Sequence, residues 1–156
     1  MAFFTRIDEG GKIRKVLVNH LVYDGIRHIP RGRKIDIVPI EIRYTARTIR
    51  ALEKIRASSI LVLLPYHAIS SARFIVEQLH KWVKCKDVNI SWMQVDKVTD
   101  FRRLIKNSQY ECILVSPGAQ EKVPVALLNN SRILKLQMDL DPEALEIARI
   151  RAGVIV

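Results

Sequence analysis

The residues of this sequence best suited to chemistry stand just after its apolar runs. Asn19 and His20 follow Lys15-Val16-Leu17-Val18. Tyr66, His67, Ser70 and Ser71 follow Ile60 to Leu64 and Pro65, and Ser116, Pro117, Gly118 and Ala119 follow Cys112 to Val115. Imidazoles at strand ends can hydrogen-bond a ligand, move a proton or hold a metal. Serine hydroxyls at a helix start, with the unpaired N–H groups of the first turn, suit an anion. Gly118 offers a backbone N–H that no side chain shields. Helix capping and turning explain Ser70, Ser71 and Gly118 equally well on sequence alone.

No carboxylate or cysteine stands at a diagnostic spacing beside the histidines. There is no H-E-x-x-H, no G-x-G-x-x-G, no Walker A loop and no G-x-S-x-G elbow. Cys85 and Cys112 are too few for a cysteine zinc site or a disulfide framework. The expectation is therefore recognition without catalysis, metal or cofactor.

The elements that must position these loops follow from hydrophobic periodicity. Lys15 to Val18 and Ile60 to Leu64 are short continuous apolar strands, and Cys112 to Val115 is a third. Ile35 to Arg43 alternates, with Pro39 marking an edge or a bulge. Val88 to Val95 and Ile133 to Leu140 also read as strands. Helices are expected after Thr45, with Ile49, Leu52 and Ile55 inward; after Ser70 or Ser71, with Ile75, Leu79, Trp82 and Val83 inward; after Thr99; and after Asp141, with Pro142 first. Asn19 to Ile29 is irregular, and Pro30 to Lys34 reads as a turn. Alternating strands and helices predict an α/β fold: three layers, about six mostly parallel strands, helices on both faces. Residues 1–14 read as an N-terminal extension and 15–156 as one domain.

A repeat of strand, loop, strand and helix relates residues 15–57 to 112–152. Ile40, Ile42, Thr45, Ile49 and Leu52 fall 96 residues before Leu136, Met138, Asp141, Leu145 and Ala148, while Val16 and Val18 precede Ile113 and Val115 by 97. The repeat makes the loops after Val18 and Val115 equivalent, and the loop after Leu64 joins them at the carboxyl ends of the strands. Open α/β sheets bind ligands there.

The formal charge is +10. Residues 1–59 hold 13 Lys/Arg against 6 Asp/Glu, so the excess sits in the first third. Such a balance suits an anionic partner or a solvated basic face. No apolar run approaches the length of a membrane span and no secretion signal is visible, so a cytoplasmic protein without membrane association is expected.

"VLVNHLVYDGIRHIP", "IDIVPIEIRYTARTIRALEKI", "CILVSPGAQEKV" and "DLDPEALEIARI" together resemble the C-terminal sensor domain of GntR-type bacterial transcription regulators. The likeness runs over residues 15–152 and rests on element order and on phrases such as "ILVSP" and "DLDPEAL". It implies a periplasmic-binding-protein-like or Rossmann-like fold and a homodimer whose geometry a small effector alters. It places effector contacts at Asn19-His20, Tyr66-His67 and Ser116-Pro117-Gly118. Those regulators carry a winged helix-turn-helix that 14 residues cannot form, so the resemblance implies DNA contact only through a domain absent from this chain. Two other classes stay open: a nucleic-acid module using Arg27, Arg31, Arg33 and Lys34, and a small enzyme using His20, His67 or Ser116.

Overall fold

The structure, a computed structural model, describes residues 5–9, 12–19, 36–107 and 109–152. His20, Arg27, His28, Arg31, Arg33 and Lys34 lie outside the described residues, as do most of the irregular stretch and the whole of the Pro30 to Lys34 turn. The chain forms two compact units, residues 1–43 with 139–156 and residues 44–138.

In the first unit, β1 (Thr5–Glu9) pairs antiparallel with β2 (Lys12–Asn19), which pairs in parallel with β3 (Asp36–Ile40). Residues read from sequence as an extension thus supply a paired strand. The register sets Val16 against Ile37 and Val18 against Pro39. β3 is the edge of this sheet, where a proline lacking an N–H is tolerated. α5 (Pro142–Ala152) lies against β3. Asp141 sits at its start, 5% exposed, and accepts from the Glu143 N–H at 3.1 Å. Its other oxygen pairs with the Arg43 guanidinium.

The second unit is built on β5 (Ser59–Leu64), β6 (Asn89–Gln94), β7 (Cys112–Val115) and β8 (Ile133–Lys135). These are all parallel, in the order β6-β5-β7-β8. The class is mixed α/β, as expected. β5 reads as a continuous apolar run because both of its faces are covered. Ile60, Val62 and Leu64 join Leu114, Leu52 of α1 (Ala46–Glu53), and Ile75 and Leu79 of α2 (Ala72–Trp82). Leu61 and Leu63 face the other way. They join Ile113, Val115, Ile105 of α3 (Phe101–Lys106) and Ala119 of α4 (Pro117–Gln120). Each such buried Leu, Ile or Val side chain is worth about 1.5–3 kcal/mol relative to exposure.

Several boundaries differ from the periodicity. Ile133 to Leu140 is interrupted, giving β8 and β9 (Met138–Leu140), and Ile35 to Arg43 likewise breaks at Glu41, giving β3 and β4 (Ile42–Tyr44). β4 and β9 form a two-stranded sheet. Thr45 caps α1 as expected, accepting from the Thr48 N–H at 3.1 Å. Asp100, not Thr99, caps α3, accepting from the Arg103 N–H at 3.0 Å. Ser71 holds the N-cap position of α2 but makes no side-chain cap bond, because a 3-10 turn (Tyr66–Ser71) runs directly into the helix. The Ala72 N–H bonds to Ile69 within that turn, so this first-turn donor is used internally.

Candidate functional site

The chain leaves β5, passes through α2 to β6 on one side, then returns through α3 to β7 on the other side of β5. The gap beyond the carboxyl ends of β5 and β7 is therefore a topological switch point. Connections there depart in opposite directions, and it is at such points that open α/β sheets bind ligands. Two of the three loops singled out from sequence flank this point.

The β5 loop begins at Pro65, which ends the strand, and continues through Tyr66 and His67 in the 3-10 turn. Tyr66 is 74% exposed. His67 is mostly exposed, yet its partial burial lowers its pKa from the ordinary imidazole value and favours the neutral ring. A neutral imidazole offers one donor and one acceptor to a ligand.

The β7 loop begins at Ser116, whose N–H donates to the Leu63 carbonyl at 3.2 Å and ties the two strand ends together. Its carbonyl accepts from Ala119 and Gln120 as α4 starts. Its hydroxyl, by contrast, is buried and has no hydrogen-bond partner among the described residues, in a residue only 8% exposed. Such a group carries an unrecovered desolvation cost, on the order of 1–3 kcal/mol, that a polar ligand could remove.

Gly118 brings the loops into contact. A Cβ added there would stand 3.0 Å from Pro65 Cγ and 3.3 Å from His67 Cε1. The missing side chain lets one strand-end loop seat against the other. Gln120, which sequence reasoning missed, braces the same corner: its Nε2 donates to the Val115 carbonyl at 3.2 Å and to the Leu136 carbonyl at 2.8 Å. The signal for it was a lone amide at the end of "PGAQ", with nothing to say how far it reaches.

The other singled-out residues distribute differently. Ser70 is exposed on the 3-10 turn and Ser71 is half-buried at the start of α2. Ala119 is wholly buried among Leu63, Val115 and Val123, so its side chain packs the core. Asn19 ends β2 in the first unit. Cys85 and Cys112 are free thiols, and burial pushes Cys112 up to about 11 against the opposing pull of Arg132. Among the described residues no three His, Cys, Asp or Glu side chains cluster as a metal site, and no helix is long and apolar enough to cross a membrane.

Arg132, also missed, holds the approach to β7. Its guanidinium donates to the carbonyls of Ile105, Asn107 and Tyr110, fastening the end of α3 and the following loop to β8. Compared with known proteins, the chain matches no family model, no curated protein and no solved structure.

Proposed function

We propose that the chain is an effector-sensing domain of the kind carried at the C-terminus of GntR-type transcription regulators. It binds a polar or anionic metabolite at the switch point beyond β5 and β7. The carrying observation is that the Ser116 hydroxyl, buried and without a hydrogen-bond partner among the described residues, stands at the carboxyl end of β7, at the switch point where Gly118 packs against Pro65 and His67. In this reading Ser116 gives the effector a hydrogen bond and neutral His67 supplies a second polar contact. Tyr66, largely exposed, covers the ligand, and Ser70 and Ser71 lie on the turn behind it. Binding is recognition without bond-making, and the protein is not an enzyme. It works as a homodimer in the cytoplasm and reaches DNA through a separate domain.

The finer fold belongs to the same reading: about six mostly parallel strands in three layers, built from a repeated strand–loop–strand–helix. Pairings in the two halves support the repeat. Val16 pairs Ile37 and Val18 pairs Pro39, while their counterparts Ile113 and Val115 pair Ile133 and Lys135. Ile42–Tyr44 and Met138–Leu140 are both strands, followed by Thr45 and Asp141 at helix starts. The Thr45 N–H donates to Gln137, and the Asp141 N–H donates to Glu41, the residue 96 before Gln137.

A thermal-shift panel of sugar phosphates, carboxylates and nucleotides tests the function. A metabolite at about a hundred times its Kd adds roughly 2.7 kcal/mol and raises Tm by several degrees. Ser116→Ala should abolish that shift. Shifts that persist undiminished in Ser116→Ala would remove the site, and a panel without any shift would remove the sensor reading.

A further inference from the structure

We propose that the solvent face of α1 is a docking surface for the phosphodiester backbone of a nucleic acid. Arg47, Arg50 and Lys54 line, with Ala51, a shallow concavity of about 370 Å³. At 100° per residue these four positions occupy one narrow arc of the helix, away from buried Thr48 and Leu52. The one acidic residue of the helix, Glu53, falls outside that arc.

Among the described residues none of the three cations forms an ion pair, whereas Arg43, Arg73, Lys122 and Arg149 each have a carboxylate partner. Residues 44–138 carry 15 Lys/Arg against 7 Asp/Glu, so the surrounding field reinforces the patch instead of cancelling it.

The lining decides between partners. A protein-binding face needs an apolar or aromatic anchor that can be desolvated, and charged residues are depleted at its centre. Here, among the described residues, Ala51 is the sole apolar side chain of the lining. Phosphate recognition needs no such anchor, and planar guanidiniums match phosphate oxygens in pairs. Spacing agrees as well. Arg47 to Lys54 spans roughly 10 Å of helix at 1.5 Å per residue, and one DNA strand presents about three phosphates over that distance.

The test is fluorescence anisotropy of a labelled duplex and a labelled single strand against the full chain, over a salt series. Arg47→Gln/Arg50→Gln/Lys54→Gln is compared with Lys84→Gln/Lys86→Gln/Lys97→Gln, an equal charge loss at exposed positions elsewhere. Circular dichroism confirms that both variants are folded. The α1 variant should bind the duplex at least about tenfold more weakly at 50 mM salt, with the log–log salt slope shallower by about 2 to 3. The comparison variant should keep the wild-type slope to within about one phosphate equivalent. Equal losses in both variants would reduce the effect to net charge and overturn the proposal, as would absence of binding at 50 mM salt. Displacement of the duplex by polyglutamate as readily as by unlabelled duplex would assign the face to an acidic protein instead.

Discussion

Gly118 sits so close to Pro65 that a Cβ on it would stand 3.0 Å from the proline Cγ, tighter than nine in ten real Cβ contacts. The proline ring is rigid and ends β5, and His67 Cε1 would stand 3.3 Å from the same Cβ, so relief requires one loop to give by a few tenths of an ångström. Gly118→Ala is expected to destabilise the fold by about 1–3 kcal/mol through overpacking, seen as a Tm lower by several degrees. An unchanged Tm would mean that the two strand-end loops are not seated on one another.

Ser116 should behave in the opposite way. Its hydroxyl is buried and makes no hydrogen bond among the described residues, so Ser116→Ala removes a polar atom without breaking a bond to any of them. Denaturant unfolding should show stability unchanged or raised by up to about 1 kcal/mol. A loss of more than about 1 kcal/mol would show that the hydroxyl is satisfied in the free protein, and the basis for a ligand contact there would go with it.

What was legible in the sequence is what local chemistry decides. β5 and β7 stood out because a strand covered on both faces is apolar without interruption, and Thr45 and Asp141 stood out because cap geometry is local. Thr99 and Asp100 are adjacent cap formers, so composition could not choose between them. The break between β8 and β9 is not local at all. Leu136 turns into the core at 1% exposure, and the Gln137 N–H leaves the ladder for Thr48, 89 residues away. The switch point likewise depends on strand order, which periodicity does not encode, and Gln120 and Arg132 act on carbonyls 5 to 27 residues distant.

Thr48 offers a test of that long-range link. It is 2% exposed, its Oγ1 accepts from the Gln137 N–H at 2.9 Å, and it also meets the Thr45 hydroxyl. Thr48→Val keeps shape but leaves a backbone donor unpaired, for an expected loss of about 1–3 kcal/mol. Thr48→Ser retains the oxygen and should recover most of it. If Thr48→Ser is damaging and Thr48→Val is not, the methyl packing matters and the hydrogen bond does not.

Arg132 discriminates geometry from charge. A planar guanidinium can address the carbonyls of Ile105, Asn107 and Tyr110 together, which a lysine ammonium on a flexible stem cannot. Arg132→Lys and Arg132→Met should therefore both destabilise by about 1–3 kcal/mol, with hydrogen exchange accelerating first at Asn107 to Glu111. Full rescue by lysine would reassign the residue to an electrostatic role.

Cys112 carries a pH signature. Burial favours the neutral thiol and moves its pKa to about 11, while the nearby Arg132 charge opposes that shift. The folded state then holds this proton more tightly than the unfolded chain, whose thiol titrates near 8.5. The Cys112 contribution to stability is complete below about pH 8.5 and falls as pH rises towards 11. Iodoacetamide at pH 8 should leave Cys112 unmodified in the folded protein and label it in denaturant, since the thiolate is the reactive form. Arg132→Met removes the opposing charge and should slow labelling at pH 10 further, provided the variant stays folded. Faster labelling of that folded variant would mean that Arg132 protects Cys112 by closing the loop over it, which mass spectrometry of the alkylated peptide would register directly.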